Sequence, residues 1–322
     1  MSTPAAAGPA LETSGLSKSY PTGMLHRGRR SALEELTLSV PRGEVFGYLG
    51  PNGAGKTTTL KLLLGLLRAD RGSARVLGVP HTDRAWRYRA GYLPENPYLY
   101  DYLTPQEYLD YAGRLFGMPA SERQERSRQV LQRVGLAESA RVPMRRFSKG
   151  MLQRAGLAQA LLNDPELVFL DEPMSGLDPI GRHMIKEVIL DLRSRGRTVF
   201  FSTHILSDAE SLCDRVGLLR AGRLVTVGRL DEILRIDVAH LEVLVSGVDA
   251  ALLARLPGLK GKQALGERWS LEVEERSLGP VVTAVQAAGG RVLSVQPVRE
   301  SLEDYFVREM GAPAGGRPWE AA

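Results

Sequence analysis

An anion-binding pattern stands out in GPNGAGKTT, residues 50–58, where closely spaced glycines precede a lysine and two threonines. Glycines leave the backbone N–H groups free to converge on phosphate oxygens, and a lysine in the same turn adds a compact positive charge. This spacing matches the P-loop pattern and predicts a nucleotide site. The residues assigned to it are Gly50, Pro51, Asn52, Gly53, Ala54, Gly55, Lys56, Thr57 and Thr58.

Two acids and a histidine could complete the chemistry. Asp171 and Glu172 follow the apolar run in ELVFLDEP, which predicts a buried parallel strand with its ligands at the carboxyl end. We expect Asp171 and Thr57 to hold Mg²⁺, and Glu172 to polarise an attacking water. His204 ends the run TVFFSTH and is expected to contact the γ-phosphate, although a lone histidine is often structural. The predicted catalytic residues are Glu172, His204 and Lys56.

A second phosphate-binding pattern lies at FSKGMLQR, residues 147–154. Ser148 is a good N-cap, Gly150 leaves the helix mouth open, and the first N–H groups of a helix attract anions. One nucleotide does not need this second element, so the residues alone leave open whose phosphate it would bind. They also do not separate an ATPase from a kinase or a GTPase.

The elements that must position these residues alternate between strand and helix, which predicts an α/β fold with a parallel sheet. The predicted strands are 11–20, 32–40, 43–50, 72–80, 166–173, 198–204 and 215–222. The predicted helices are 57–67, 105–116, 121–134, 148–162, 179–195 and 205–213. After residue 235 the order is strand 240–247, helix 248–256, strands within 258–273, helix 278–288, strand 291–298 and helix 301–310, a ferredoxin-like order.

Composition limits the classes of protein. The 322 residues carry a formal net charge of +5, which fits nucleic acid, an anionic membrane surface or nucleotide without choosing among them. The single cysteine excludes a disulfide framework. No secretory signal and no apolar run of about 18–20 residues is visible, so we expect a protein in the cytosol or on a membrane through a partner.

In chain order, GPNGAGKTT, GYLPEN, FSKGMLQR, LVFLDEP, SGLD and STH resemble the ATPase subunits of ABC transporters, over about residues 11–236. The FSKGM signature and SLEDYFVREM more narrowly resemble the ABC-2 exporter branch. The resemblance implies a P-loop core, a parallel sheet with antiparallel β and helical subdomains (helical at about 96–160). A small accessory α+β domain would follow at 237–310. The residues themselves predict a disordered N-terminus at 1–10, which is rich in Ala and Pro, and a flexible tail at 311–322.

The resemblance also assigns roles at the site, with ATP and Mg²⁺ as cofactors. Two such ATPases pack head to tail, so that each FSKGM helix closes on the γ-phosphate held by the other subunit. Tyr20 then matches the adenine-stacking aromatic, and Glu95 stands where most of the family has Gln and could also bind Mg²⁺. The residues implied at the dimer interface are Ser148, Lys149, Gly150 and Asp178.

The partners implied are an ABC-2 transmembrane permease and a second ATPase subunit, with no nucleic acid expected. The protein would then be cytoplasmic and held peripherally on the inner face of the membrane. Seven of the ten tyrosines lie within residues 88–111, the segment that leads into the permease-facing helical subdomain. The alternatives are a soluble ABC ATPase that acts on the ribosome or nucleic acid, and a P-loop kinase, which would leave FSKGM and SGLD unexplained.

Overall fold

Strands and helices alternate along the chain in the computed structural model, which describes residues 8–22, 28–234 and 238–299 together with Leu302, Glu303, Tyr305 and Phe306. The strands are β1 (Leu11–Thr22), β2 (Gly28–Val40), β3 (Val45–Leu49), β4 (Arg71–Val76), β5 (Val79–Pro80), β6 (Ala90–Leu93), β7 (Leu167–Asp171), β8 (Thr198–Thr203), β9 (Arg215–Arg220), β10 (Arg223–Arg229), β11 (Val238–Ser246), β12 (Leu259–Leu265), β13 (Arg268–Val273) and β14 (Arg291–Arg299). The α-helices are α1 (Lys56–Leu63), α2 (Pro105–Leu115), α3 (Ala120–Arg133), α4 (Lys149–Leu161), α5 (Pro179–Ser194), α6 (Leu206–Leu212), α7 (Leu230–Ile233), α8 (Ala250–Leu253) and α9 (Leu278–Ala287).

The chain divides into two compact units, Met1–Leu230 and Asp231–Ala322, so the division falls a few residues before the boundary predicted at 236. Residues 1–7 of the predicted disordered N-terminus and the whole predicted tail at 311–322 lie outside the described residues. Ala10, the last residue of that predicted N-terminus, is fully buried and its N–H donates to the Val40 carbonyl.

The first unit is built on a six-stranded sheet in the order β10-β9-β3-β8-β7-β6. Strands β9, β3, β8, β7 and β6 run parallel, whereas β10 pairs with β9 in antiparallel orientation. Every residue of β3, β7 and β8 is buried, as expected for apolar strands in the middle of a parallel sheet. The predicted α/β class is confirmed, and the carboxyl ends of β3, β7 and β8 lie side by side at one edge.

An antiparallel sheet, in the order β2-β1-β4-β5, forms the second layer of this unit. The single strand predicted at 72–80 is wrong, because the chain turns at Leu77 and Gly78, whose φ angles are 52° and 82°. Two successive positive φ angles make the tight turn that joins paired antiparallel strands, so β4 and β5 form a short hairpin.

Helices α2, α3 and α4 pack against one another within the region predicted as helical. Thr104 and Glu107 form a reciprocal capping box at the start of α2. Helix α1 is shorter than the predicted 57–67, because Gly65 adopts a left-handed φ of 65° and the Leu66 N–H bonds back to the Lys61 carbonyl.

The second unit contains a four-stranded sheet in the order β12-β13-β11-β14, with antiparallel pairing throughout. Strands β11 and β13 lie in the middle, and α8 and α9 occur at the two positions that the predicted ferredoxin-like order requires. The predicted helix 248–256 is confined to α8, where Asp249 caps the helix, and the predicted helix 301–310 lies mostly outside the described residues. Valines of β11, β13 and α9 form its core, among them Val243, Val245, Val273, Val281 and Val285.

Within the described part of the chain, no helix combines the length and apolar character needed to cross a bilayer.

Candidate nucleotide site

The loop GPNGAGKTT connects the end of β3 to α1 and needs glycine at two positions for lack of space. A Cβ on Gly50 would lie 2.4 Å from the Leu219 carbonyl oxygen, and one on Gly55 would lie 2.2 Å from the Ala32 carbonyl oxygen. Gly55 also has a φ of 111°, which side chains rarely adopt. The loop therefore packs closely against β9 and β2 and presents the start of α1 to the adjacent pocket.

Lys56 projects back across its own loop. Its Nζ donates to the Gly50 carbonyl at 2.7 Å and to the Pro51 carbonyl at 3.2 Å. The same Nζ lies 3.1 Å from Oε1 of Glu172, and both side chains are more than nine-tenths buried. The structure thus brings the lysine of the phosphate loop and the acid after β7 into direct contact.

Asp171 ends β7 and is held by hydroxyl groups of two other elements. Its Oδ1 accepts hydrogen bonds from Ser202 Oγ at 2.6 Å and from Thr57 Oγ1 at 3.3 Å. Burial raises the pKa of the Asp171 carboxyl, and the hydrogen bonds from Ser202 and Thr57 only partly oppose that rise. The Asp171 carboxylate and the Thr57 hydroxyl are therefore in contact at the edge of the sheet.

These two groups fit Mg²⁺ bound together with a nucleotide. Among the described residues, no group of three or more His, Cys, Asp and Glu side chains could hold a metal ion unaided. Mg²⁺ typically binds through one or two protein oxygens, retains water and takes further oxygens from substrate phosphates. A single carboxylate and a single hydroxyl beside a phosphate loop suit this mode, and Glu95 offers a further carboxylate in the pocket wall.

Glu172 occupies a strained backbone position and uses both carboxylate oxygens. Its φ is 46°, in the left-handed region that residues with a side chain seldom adopt. Its N–H donates to both Oγ and the carbonyl oxygen of Ser202, at 3.0 Å and 3.2 Å. Oε2 lies 2.8 Å from Nδ1 of His204, while Oε1 lies against Lys56. The three residues predicted as catalytic thus contact one another in the order Lys56–Glu172–His204.

A pocket of about 540 Å³ lies over these residues. Sequence reasoning missed Arg30, Ser31, Ala32 and Ser175 in its wall; only Ser175 carried a signal, as the first residue of SGLD. The full lining is Tyr20, Arg30, Ser31, Ala32, Asn52, Gly53, Gly55, Lys56, Thr57, Thr58, Glu95, Glu172, Ser175 and His204.

The FSKGM residues and Asp178 of SGLD are not brought into this pocket by their own chain. Ser148 caps α4, as predicted, and its Oγ accepts from the Met151 N–H at 3.3 Å. Asp178 caps α5 by accepting from the Gly181 N–H at 2.8 Å. The two segments lie together, because Lys149 Nζ is 2.5 Å from the point where a Cβ on Gly176 would be. Of the residues predicted at the dimer interface (Ser148, Lys149, Gly150 and Asp178), none lines the pocket described above.

The raised pKa of Asp171 predicts that the charged form of this carboxyl destabilises the folded protein. A carboxyl whose pKa is higher in the folded protein contributes most stability when protonated, and that contribution is lost as the pH rises through the folded pKa. Asp171→Asn removes the buried charge and keeps an oxygen that can accept from Ser202. We expect a higher melting temperature than wild type at pH 8 in nucleotide-free buffer, and a smaller difference as the pH approaches the ordinary aspartate value of about 3.9.

Glu166, just before the same strand, provides a control in which the pKa shift and the expected change in melting temperature have the opposite sign. Its pKa is lowered, chiefly by the hydrogen bond from Arg89. Glu166→Gln should therefore lower the melting temperature at pH 8. Thermal unfolding of both variants from pH 5 to pH 8 makes the comparison, and an Asp171→Asn protein that melts below wild type at pH 8 would contradict the assignment.

Comparison with known proteins identifies the family. The model of the family described as ABC transporter matches residues 33–175. An ABC transporter ATP-binding protein of Synechocystis is 46% identical over 93% of this chain and 84% of its own length. The Nod factor export ATP-binding protein I of Ralstonia nicotianae is 36% identical over 94% of each chain. A solved structure of the ATP binding subunit of an ABC transporter is 36% identical with a TM-score of 0.63, covering 70% of this chain and 92% of that one.

The two ATP-binding proteins match over nearly the whole of the present chain, and the family match includes the phosphate loop, Asp171, Glu172 and the FSKGM helix. The chain belongs to the ABC transporter ATP-binding proteins, and the nucleotide that it binds and hydrolyses is ATP.

Proposed function

We propose that this ATPase powers export through a separate membrane permease of the ABC-2 type. In this proposal it works as one of two identical subunits packed head to tail, with Mg²⁺ bound beside each ATP. The name of the Ralstonia relative, an export ATP-binding protein aligned over 94% of each chain, supports the direction of transport. The FSKGM and SLEDYFVREM motifs support the ABC-2 branch.

The observation that supports a dimer is that the two phosphate-binding elements of one chain lie apart. The mouth of α4, capped by Ser148, lies outside the pocket that contains Lys56, Glu172 and His204. A second subunit, turned head to tail, can bring its own α4 to that pocket. ATP then joins two surfaces that one chain keeps apart, and hydrolysis releases them.

Within each composite site, the chain's own residues divide the work. Lys56 and the loop N–H groups bind the β- and γ-phosphates, and Thr57 with Asp171 would hold Mg²⁺, which neutralises phosphate charge when bound. Glu172 accepts the proton of the attacking water at the oxygen that His204 does not hold, once phosphates draw Lys56 away. His204 Nδ1, at 2.8 Å, keeps the carboxylate oriented.

The surface proposed for the permease comprises the exposed Tyr98 and the tyrosine cluster formed by Tyr100, Tyr102, Tyr108 and Tyr111. The Tyr100 ring contacts those of Tyr102, Tyr108 and Tyr111 at centroid distances of 5.9, 6.2 and 5.8 Å. Tyr98 is 95% exposed and Tyr102 is 66% exposed, although both carry large rings. Exposed, mutually packed tyrosines provide rigid contact area of the kind enriched at protein interfaces. Such a contact would hold the ATPase on the cytoplasmic face of the membrane.

The test of this surface is a double substitution, Tyr98→Ser with Tyr102→Ser. We expect the tagged wild-type chain to co-purify a polytopic membrane protein from detergent-solubilised native membranes, and the double variant to recover roughly 10-fold less or lower, since buried tyrosines often dominate binding energy. ATP hydrolysis by the isolated chain should remain within about twofold, because the cluster lies outside the nucleotide pocket.

Val225→Ser serves as the matched control, because Val225 is 41% exposed on β10, outside the tyrosine cluster. It should recover the membrane protein as well as wild type does. Recovery of ribosomal or nucleic-acid partners by the wild-type chain instead would favour the soluble alternative and overturn the export proposal.

A further inference from the structure

Arg30 is a basic side chain in the wall of the nucleotide pocket, and it does not belong to the phosphate loop. It lies near the start of β2, is exposed, and lines the pocket together with Tyr20, Lys56 and Thr58. The sequence motifs assign it no role. Its position raises the question of which part of the nucleotide it faces.

Three neighbouring cations on this side of the molecule are paired with acids. Lys18 and Arg29 both contact Asp70, at 3.0 Å and 3.1 Å, and the guanidinium of Arg223 donates to Glu34 at 2.6 Å. The Arg30 side chain makes no hydrogen bond or ion pair with any other residue that the structure describes. An uncompensated guanidinium in a pocket wall is a ready donor for a phosphate group.

Strand register places Arg30 beside Tyr20 in the pocket wall. Arg30 and Tyr20 are directly opposite each other in the β1–β2 pairing, so their side chains share one face of the sheet. Ala32, two residues further on at a register shift in this pairing, also lines the pocket, and its carbonyl oxygen is close against Gly55 of the phosphate loop. Two residues of regular strand span roughly 6.6 Å, so Arg30 lies at most about that far along β2 from the residue that touches the loop.

We infer that Arg30 is a nucleotide-binding residue whose guanidinium donates to the α-phosphate of ATP and ADP. The β- and γ-phosphates are taken by the loop N–H groups and Lys56, and the phosphate that remains nearest the Tyr20 end is the α-phosphate. This inference rests on the assignment of the pocket to ATP. It predicts a contact that adenosine, which has no phosphate, does not make.

The test is equilibrium binding of ADP to the purified full-length chain by titration calorimetry. Arg30→Ala should weaken ADP binding roughly 10-fold, because a hydrogen bond to a charged group is lost. Arg30→Lys should weaken it less, since a lysine keeps the charge but not the planar fork. Arg29→Ala is the control, because Arg29 is the adjacent arginine of the same strand but is paired with Asp70. It should stay within about twofold of wild type.

Two further readouts separate a phosphate contact from a general disturbance of the pocket. Adenosine affinity, measured by competition with ADP, should be unchanged in Arg30→Ala. The dependence of ADP affinity on KCl concentration should be shallower in Arg30→Ala than in wild type, because one exposed charge interaction is missing.

The inference is overturned if Arg30→Ala binds ADP within twofold of wild type. It is also overturned if Arg29→Ala loses as much affinity, or if adenosine and ADP weaken by the same factor. ADP binding to the isolated chain requires neither a permease nor a second subunit. A failure here is therefore distinct from a failure of the export proposal.

Discussion

Glu172→Gln is expected to lower ATP turnover by roughly 10²–10⁴-fold while ATP binding persists, the usual loss when a positioned proton acceptor is removed. The amide has the shape of the carboxylate and can still contact His204, which lies 2.8 Å from Oε2, but it does not accept a proton from water. Phosphate release under steady-state conditions measures turnover, and calorimetric titration with an ATP analogue measures binding.

The same variant should trap an ATP-bound dimer, because hydrolysis no longer releases the two subunits. Size-exclusion chromatography with MgATP should then show a dimer for Glu172→Gln and mainly monomer for wild type. Glu187→Gln, an exposed acid on α5, is the control and should behave as wild type in both assays. Near-normal hydrolysis by Glu172→Gln would show that Glu172 is not the proton acceptor.

The sequence predicted those parts of the site that local pattern determines. Glycine spacing requires a tight loop at residues 50–58, and the apolar run before Asp171 requires a buried strand. Because carboxyl ends of parallel strands meet at one edge, the structure brings Asp171, Glu172 and His204 beside the phosphate loop.

Other features depend on contacts that no local pattern encodes. The Lys56–Glu172 ion pair joins residues far apart in sequence, and its existence depends on the order of strands in the sheet. The position of Arg30 depends on the register between β1 and β2, which contains shifts that no local pattern encodes. The hairpin of β4 and β5 was missed because Leu77, a residue that rarely adopts positive φ, occupies its turn.

Ser148→Arg is expected to abolish ATP hydrolysis while each monomer still binds ATP. The substitution removes the N-cap oxygen that accepts from Met151, at a cost of about 1 kcal/mol of helix stability. It also places a bulky cation at the helix mouth where the partner's γ-phosphate must dock. ATP binding should persist, because Ser148 does not line the pocket of its own chain. Hydrolysis by Ser148→Arg at the wild-type rate would show that the N-terminus of α4 is not part of the catalytic site.

Ser121→Arg, at an exposed position in the first turn of α3, is a control for the added charge. It should hydrolyse ATP at close to the wild-type rate.

The central claim is that each catalytic site is shared between two chains, and hydrolysis by mixed dimers tests it most directly. Differently tagged chains are co-expressed and purified through both tags. In a dimer of one Ser148→Arg chain and one Lys56→Ala chain, both lesions fall on the same composite site and the other site is intact. That dimer should match the activity of a wild-type chain paired with Lys56→Ala, which also has one intact site.

When both lesions are placed on one chain and its partner is wild type, each composite site carries one defect, and activity should be lost. Activity in the first arrangement and none in the second is the result expected for sites formed in trans. Full activity of one site in the second arrangement and none in the first would contradict the account, because each chain would then complete its own site.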